Sequence, residues 1–165
     1  LELSRLESGE PSEAFTSKVD LKATAEEVIN ELSPKIAEKG ITATVSGSGE
    51  IQGDAKKIYE VIENLCSNAV NYNNENGKID ITIAEKTNSV VLKVADTGIG
   101  IKKENIPRLC ERFYRVDKSR SKKTGGTGLG LAIVKHICAL HGATLSVDSD
   151  LGLGTTVTVI FNKDK

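Results

Sequence analysis

Between Thr124 and Leu131 the chain reads TGGTGLGL, four glycines in eight residues. That density costs backbone entropy in any regular element, so it is kept where backbone takes positive φ or lies close against another group. The segment runs straight into LAIVKHICAL, an apolar stretch compatible with a helix. Its free amides are therefore expected at a helix N-terminus, an anion site for which phosphate is the natural guest. Two common phosphate motifs are excluded by spacing and context. A dinucleotide fold needs G-x-G-x-x-G directly after a strand, whereas the polar KSRSKKT precedes these glycines. The chain also has no G-x-x-x-x-G-K-[ST], so this is not a P-loop.

A chain of 165 residues accommodates one core with an appendage rather than two large domains. With 22 basic and 23 acidic residues the net charge is -1, so no global field draws the chain to nucleic acid or an acidic membrane. Cys66, Cys110 and Cys138 are odd in number and widely spaced, which fits a reducing compartment and small hydrophobes in a core. No apolar run reaches the roughly 18 residues of a membrane span, and no signal-peptide pattern opens the sequence. The expectation is a soluble, cytoplasmic segment with no membrane contact of its own.

Residues 1–10, LELSRLESGE, place Leu3 and Leu6 at helical spacing before Gly9 and Pro11, as in the last turns of a helix that begins upstream. Phe15 to Val19 is a short strand candidate. Asp20 is placed to cap a helix whose apolar positions run from Leu21 to Ile36, with a bend at Ser33-Pro34 and an end at Gly40. ITATVSG and EIQGD read as strands flanking a Gly-Ser turn.

Asp54 caps the next predicted helix, where Ile58, Val61, Ile62, Leu65 and Ala69 form one apolar face. Beside that face Glu60, Asn64, Asn68 and Tyr72 recur at i+4. Asparagine competes for backbone bonds inside a helix, so this row is either a solvated edge or a ligand edge. A side-chain carbonyl is a hard oxygen ligand suited to magnesium, which keeps waters and binds substrate phosphates with few protein groups.

KIDITIAEK and SVVLKVAD alternate as a hairpin about Thr87-Asn88, and the second strand ends at Asp96 before Thr97-Gly98-Ile99-Gly100. An acid there is either turn chemistry or a buried acceptor for a purine amino group. In the second case Gly98 and Gly100 let the base lie on bare backbone. Residues 101–124 carry Arg108, Arg112, Arg115, Lys118, Arg120, Lys122 and Lys123 around Phe113-Tyr114. Such a run is a solvated face or, between two glycine motifs, a mobile lid bringing cations to phosphate. A helix over residues 129–141 and a last hairpin, ATLSVDSD with TTVTVIF, close the chain.

The ordered set ENLCSNAVNY, DTGIG, ERFYRVD and TGGTGLGL resembles the asparagine box, first glycine box, phenylalanine box and second glycine box of bacterial sensor histidine kinases. The likeness covers roughly residues 15–162, and LELSRLESGE resembles the end of the dimerisation and phosphoacceptor helix that precedes that catalytic domain. The resemblance implies an α+β fold of the Bergerat type. This is a two-layer sandwich, a mixed sheet of five or more strands with three main helices on one face. Residues 11–165 would form it, with the lid at 101–124.

By the same resemblance Asn68 is the magnesium ligand and Asn64 its companion at the triphosphate, Tyr72 lies against the nucleotide and Asp96 reads adenine. Gly98, Gly100, Ile101, Gly126, Thr127, Gly128, Leu129 and Gly130 shape the ATP pocket, and Arg115 and Lys118 are the lid cations. The partners implied are ATP, the dimerisation and phosphoacceptor domain of the same kinase, and a response regulator. The parent protein is expected to be a sensor that can sit in the inner membrane.

The family's acceptor histidine lies upstream, and His136 and His141 read instead as surface or helix-end residues. Two departures stand out: Asn71 replaces a common basic residue, and Cys110 replaces the first aromatic of the phenylalanine box. Related ATPases place a water-activating glutamate four residues before the Asn68-like ligand, where this chain has Asn64. A stand-alone ATPase, a serine kinase of the same superfamily, and a module that only senses nucleotide are the alternatives.

Overall fold

The computed structural model describes residues 17–100 and 129–162. Expectations for residues 1–16, including the upstream helix end, and for the lid at 101–124 lie outside these residues. Two acids start two helices. Asp20, at the end of β1 (Ser17–Asp20), accepts from the Ala23 amide at 3.1 Å and caps α1 (Leu21–Glu31). Asp54 accepts from the Lys56 and Lys57 amides at 3.0 and 3.3 Å and caps α3 (Ala55–Asn71). Such caps satisfy amides that no helical carbonyl can reach.

The predicted first helix is two helices. Pro34 has no amide to donate, and α1 stops at Glu31 before α2 (Ser33–Lys39), which carries the proline in its first turn and ends at Gly40. Four helices are therefore present among the described residues, the three main helices that were expected and the short α2. The last, α4, spans Leu129–Leu140.

The two strands around the Gly-Ser turn do not pair with each other. β2 (Thr42–Gly47) runs parallel to β4 (Lys78–Glu85), while β3 (Glu50–Gly53) pairs antiparallel with β1 as a separate two-stranded sheet. The main sheet has the order β2-β4-β5-β7-β6, with β5 (Ser89–Asp96) in its centre. The hairpins β4–β5 and β6–β7 (Thr144–Asp150, Gly154–Asn162) are antiparallel as expected.

Alternation along the strands gives the sheet one apolar face. Ile79, Ile81, Leu92, Val94, Val159 and Phe161 join Val28 of α1, Ile58, Val61 and Ile62 of α3, and Val134 and Ile137 of α4 in one core. The opposite face is polar, with exposed Thr82 and Lys93 paired across β4 and β5, and Thr44 donating to Asp80 at 2.7 Å. A half-solvated sheet of this kind places ligand chemistry at strand ends and helix ends rather than on the open face. Cys66 and Cys138 are buried in the core as small hydrophobes, and burial pushes the Cys66 thiol up to about 12.

Candidate functional site

Helix α3 seats the asparagine row. Its buried side is Ile58, Val61, Ile62, Leu65, Cys66 and Ala69, and Glu60, Asn64 and Asn68 border it, each half-buried. The Asn64 amide donates to the Glu60 carbonyl at 2.8 Å, the local competition expected of asparagine in a helix. Its side-chain oxygen, and the whole side chain of Asn68, make no hydrogen bond to a described residue. A half-buried amide oxygen without a protein partner fits magnesium, which takes one or two protein oxygens and fills its shell from phosphate and water. Asn71, in place of the common basic residue, donates to Ser67 Oγ at 3.4 Å.

The central strand ends at Asp96 under the C-terminal end of α3. One oxygen, Oδ1, accepts from the Gly98 amide at 2.8 Å and from the Thr155 amide at 3.3 Å. Oδ2 makes no bond to a described residue and is available to a ligand amino group. Burial pushes the Asp96 carboxyl up to about 6, against the two amides, which lower it. At neutral pH it is a partly desolvated carboxylate acceptor, a group that discriminates strongly between a donor and an acceptor on a bound base.

The glycine turn is shaped by the protein's own backbone. A Cβ on Gly98 would collide with the Tyr72 carbonyl oxygen and press on Asn73 Cα, and Gly100, at φ 75°, has its Cβ position filled by the Asp150 carbonyl. The expectation that both glycines make room for a base is thus corrected in part, because their missing side chains admit the ends of α3 and of the β6–β7 hairpin. Ile99 N donates to the Tyr72 carbonyl at 3.1 Å and Gly152 N to the Ile99 carbonyl at 2.6 Å. Tyr72, Asp96, Gly98 and Gly100 are therefore brought together, with half-buried Tyr72 as the C-cap of α3.

Asn73, two residues past the end of α3, is the residue that joins the pieces. It is 1 % exposed. Its amide nitrogen donates to the Lys78 carbonyl at 3.1 Å, and its oxygen accepts from Asn74 N at 2.8 Å and Thr97 Oγ1 at 3.3 Å. Thr97 Oγ1 also accepts from Lys78 N at 2.8 Å. Four asparagines in NYNNEN look alike in sequence, so nothing local distinguishes the buried one.

His141 corrects a second expectation. It stands at the end of α4 as predicted but is half-buried: its Nδ1 donates to the Ile137 carbonyl at 2.9 Å and its Nε2 accepts from Asp54 N at 3.1 Å. Burial lowers its pKa, against the Ile137 carbonyl and Asp54, which raise it. The neutral ring ties α4 to the start of α3. His136 is exposed. Ile101, Cys110, Arg115, Lys118, Gly126, Thr127 and Gly128 lie outside the described residues, and Leu129 and Gly130 are the first residues of α4.

A half-buried acid at the end of a central strand, a glycine turn against a helix C-terminus and an asparagine row on that helix agree with the match of residues 53–165 to the histidine kinase-, DNA gyrase B- and HSP90-like ATPase family. The chain belongs to that family. Within it the relatives are sensor kinases. The sensor histidine kinase RppB of Synechocystis is 36% identical over 158 residues, 87% of this chain and 35% of that protein. The nucleotide-free catalytic domain of histidine kinase ThkA superposes with a TM-score of 0.77 at 26% identity, covering 89% of this chain and 95% of that one. Full-length ShkA in complex with AMPPNP gives 0.76 at 28% identity over 90% of this chain and 31% of that one. The chain thus spans less than half of the length of the curated relatives it matches, 35% of RppB, 42% of a mycobacterial SenX3 and 18% of WalK of Bacillus subtilis. No described helix is long and apolar enough to cross a membrane.

Proposed function

We propose that this chain is the ATP-binding catalytic domain of a sensor histidine kinase. It passes the γ-phosphoryl group of ATP to a histidine on a dimerisation and phosphoacceptor domain, for onward transfer to a response-regulator aspartate. The observation that carries this reading is Asp96, a partly desolvated carboxylate with one oxygen fixed by two backbone amides and the other open to a base amino group. Family membership and the AMPPNP complex of ShkA support ATP as the nucleotide.

In this reading Asp96 accepts from the adenine amino group and Tyr72 lies beside the base. Asn68, with Asn64 next to it, would hold a magnesium ion, which would supply charge neutralisation on the phosphates. Gly126, Thr127, Gly128 and the start of α4 offer amides to the phosphates, and Arg115 and Lys118 bring cationic charge to the γ-phosphate. Phosphoryl transfer through a loose transition state needs such alignment more than covalent help. The acceptor imidazole nitrogen forms the bond to phosphorus as the bond to the β,γ-bridging oxygen breaks, and ADP leaves. Transfer to water is disfavoured because Asn64, at the position of the general base of related ATPases, is an amide already donating to Glu60 and cannot take a proton.

The test is calorimetric titration of ATP, with and without magnesium, into the wild type and Asp96→Asn. Saturable, magnesium-sensitive heat that returns to baseline and is lost in the variant is expected. Continuing heat of turnover would move the reading to a water-using ATPase, and absence of binding would remove both.

A further inference from the structure

Lys39 lies in the last turn of α2, where a basic residue ordinarily complements its own helix. Its ammonium instead crosses to the end of α3. Nζ donates to the carbonyls of Val70 at 2.9 Å, Asn71 at 3.0 Å and Asn73 at 3.2 Å. The ammonium thus donates to the last turn of a 17-residue helix and to the second residue beyond it, where the carbonyls have no helical partner and the macrodipole is negative. The Lys39 carbonyl accepts from Asn76 N at 2.7 Å, so the lysine holds the α3–β4 connection at both of its ends.

Asn73 supplies the third of these carbonyl acceptors and also the side-chain oxygen that accepts from Thr97 Oγ1, next to Gly98 and one residue past Asp96. Tyr72, between the other carbonyls, receives Ile99 N and fills the space over Gly98. Gly98 N in turn fixes Asp96 Oδ1. Two hydrogen-bonded steps therefore separate the Lys39 ammonium from the turn that aims the carboxylate.

We propose that Lys39 is a positioning residue for base recognition: by clamping the α3 terminus it fixes the Asn73–Thr97 junction, and so the direction of Asp96 Oδ2 toward a purine amino group. The inference rests on the reading of Asp96 as the adenine acceptor. A carboxylate aimed this way attracts the adenine amino group and repels a guanine carbonyl at the same place, so selectivity between the two bases reports its aim. Loss of a clamp that only stabilised the fold would weaken both nucleotides alike.

The experiment measures ADP and GDP affinities at pH 8 for the wild type, Lys39→Met, Lys39→Arg and Asp96→Asn. Lys39→Met is expected to weaken ADP by about tenfold and to reduce the ADP-over-GDP preference by about fivefold, as for a lost charge-assisted contact that orients a reader. Lys39→Arg, which keeps the cation, recovers most of the preference. If Lys39→Met does not fold, Lys39→Gln, with one amide for the three carbonyls, makes the same comparison and is expected to fall between Met and Arg. An unchanged preference in the neutral variants, with Asp96→Asn abolishing it, overturns the role of Lys39 alone. A wild-type preference in Asp96→Asn overturns the reading of Asp96, and the proposal with it.

Discussion

At the Asp96 end of the site one carboxylate oxygen takes two backbone amides, Asn73 uses both of its side-chain atoms, and Tyr72, Ile99 and Gly152 hand the turn from α3 to the β6–β7 hairpin. Along the middle of α3, by contrast, Asn68 makes no side-chain bond to a described residue and Asn64 makes one, to its own helix. The Asp96 end is fixed by the chain's own hydrogen bonds, whereas the α3 edge offers side-chain oxygens that no described residue uses. Rigid geometry suits discrimination between bases. An open oxygen suits an ion that brings most of its own shell.

The contrast is broken most sharply by Asp96→Asn. Asparagine Oδ1 can still accept from Gly98 and Thr155, but the amide nitrogen now meets the base amino group donor to donor. ATP affinity is expected to fall about 10- to 150-fold, the worth of a bond to a charged acceptor, in a calorimetric titration. The unliganded variant is expected to be at least as stable as the wild type at pH 8. Here the sign follows from a folded pKa of about 6, above the ordinary value of 3.8: the ionised carboxylate opposes folding above pH 6, and the penalty disappears as pH falls toward 4. Thermal melts from pH 8 to pH 4 should therefore show the advantage of the variant shrinking.

Asn73→Ala tests the fixed end from the stability side. It removes the donor to the Lys78 carbonyl and the acceptor of Asn74 N and Thr97 Oγ1 from a part-buried junction, and urea unfolding is expected to show a loss of about 1–3 kcal/mol. His141→Ala should cost about 1 kcal/mol, the net worth of a buried neutral hydrogen bond. It should also remove a pH slope. The lowered folded pKa means that the wild-type ring contributes above its ordinary value of 6.5 and that this contribution is lost as pH falls below it, the opposite direction to Asp96.

The smallest stability effect is expected at the open edge. Asn68→Ala replaces a mid-helix asparagine with the best helix former and leaves no described partner unpaired, so stability should rise by up to about 0.5 kcal/mol. The same variant is expected to lose the magnesium dependence of ATP binding. A loss of stability as large as that of Asn73→Ala would mean that the edge is structural after all.

Much of this contrast was legible in the chain. Asp54 before an apolar 3.6-residue pattern announced α3 and its start, and the i+4 spacing placed Asn64, Asn68 and Tyr72 along one border of it. Alternation around Thr87-Asn88 announced the hairpin that ends at Asp96. These are short-range signals, carried by residues that interact within one or two turns. Lys39, Asn73 and His141 escaped because their partners lie 31 to 34, 24 and 87 residues away in sequence. The parallel pairing of β2 with β4 escaped for the same reason, since a Gly-Ser turn reads as a hairpin until a distant strand competes for the edge.

The sequence by itself determined the elements, the helix caps, the glycine turn and the residue types that give the family its boxes, because each depends on local backbone preference and periodic burial. Only the tertiary structure decided which glycine faces which backbone, which of several asparagines is buried and which lysine caps which helix. Those outcomes depend on the close approach of segments far apart in the chain, where desolvation makes an unpaired carbonyl costly and so selects the one donor that can reach it.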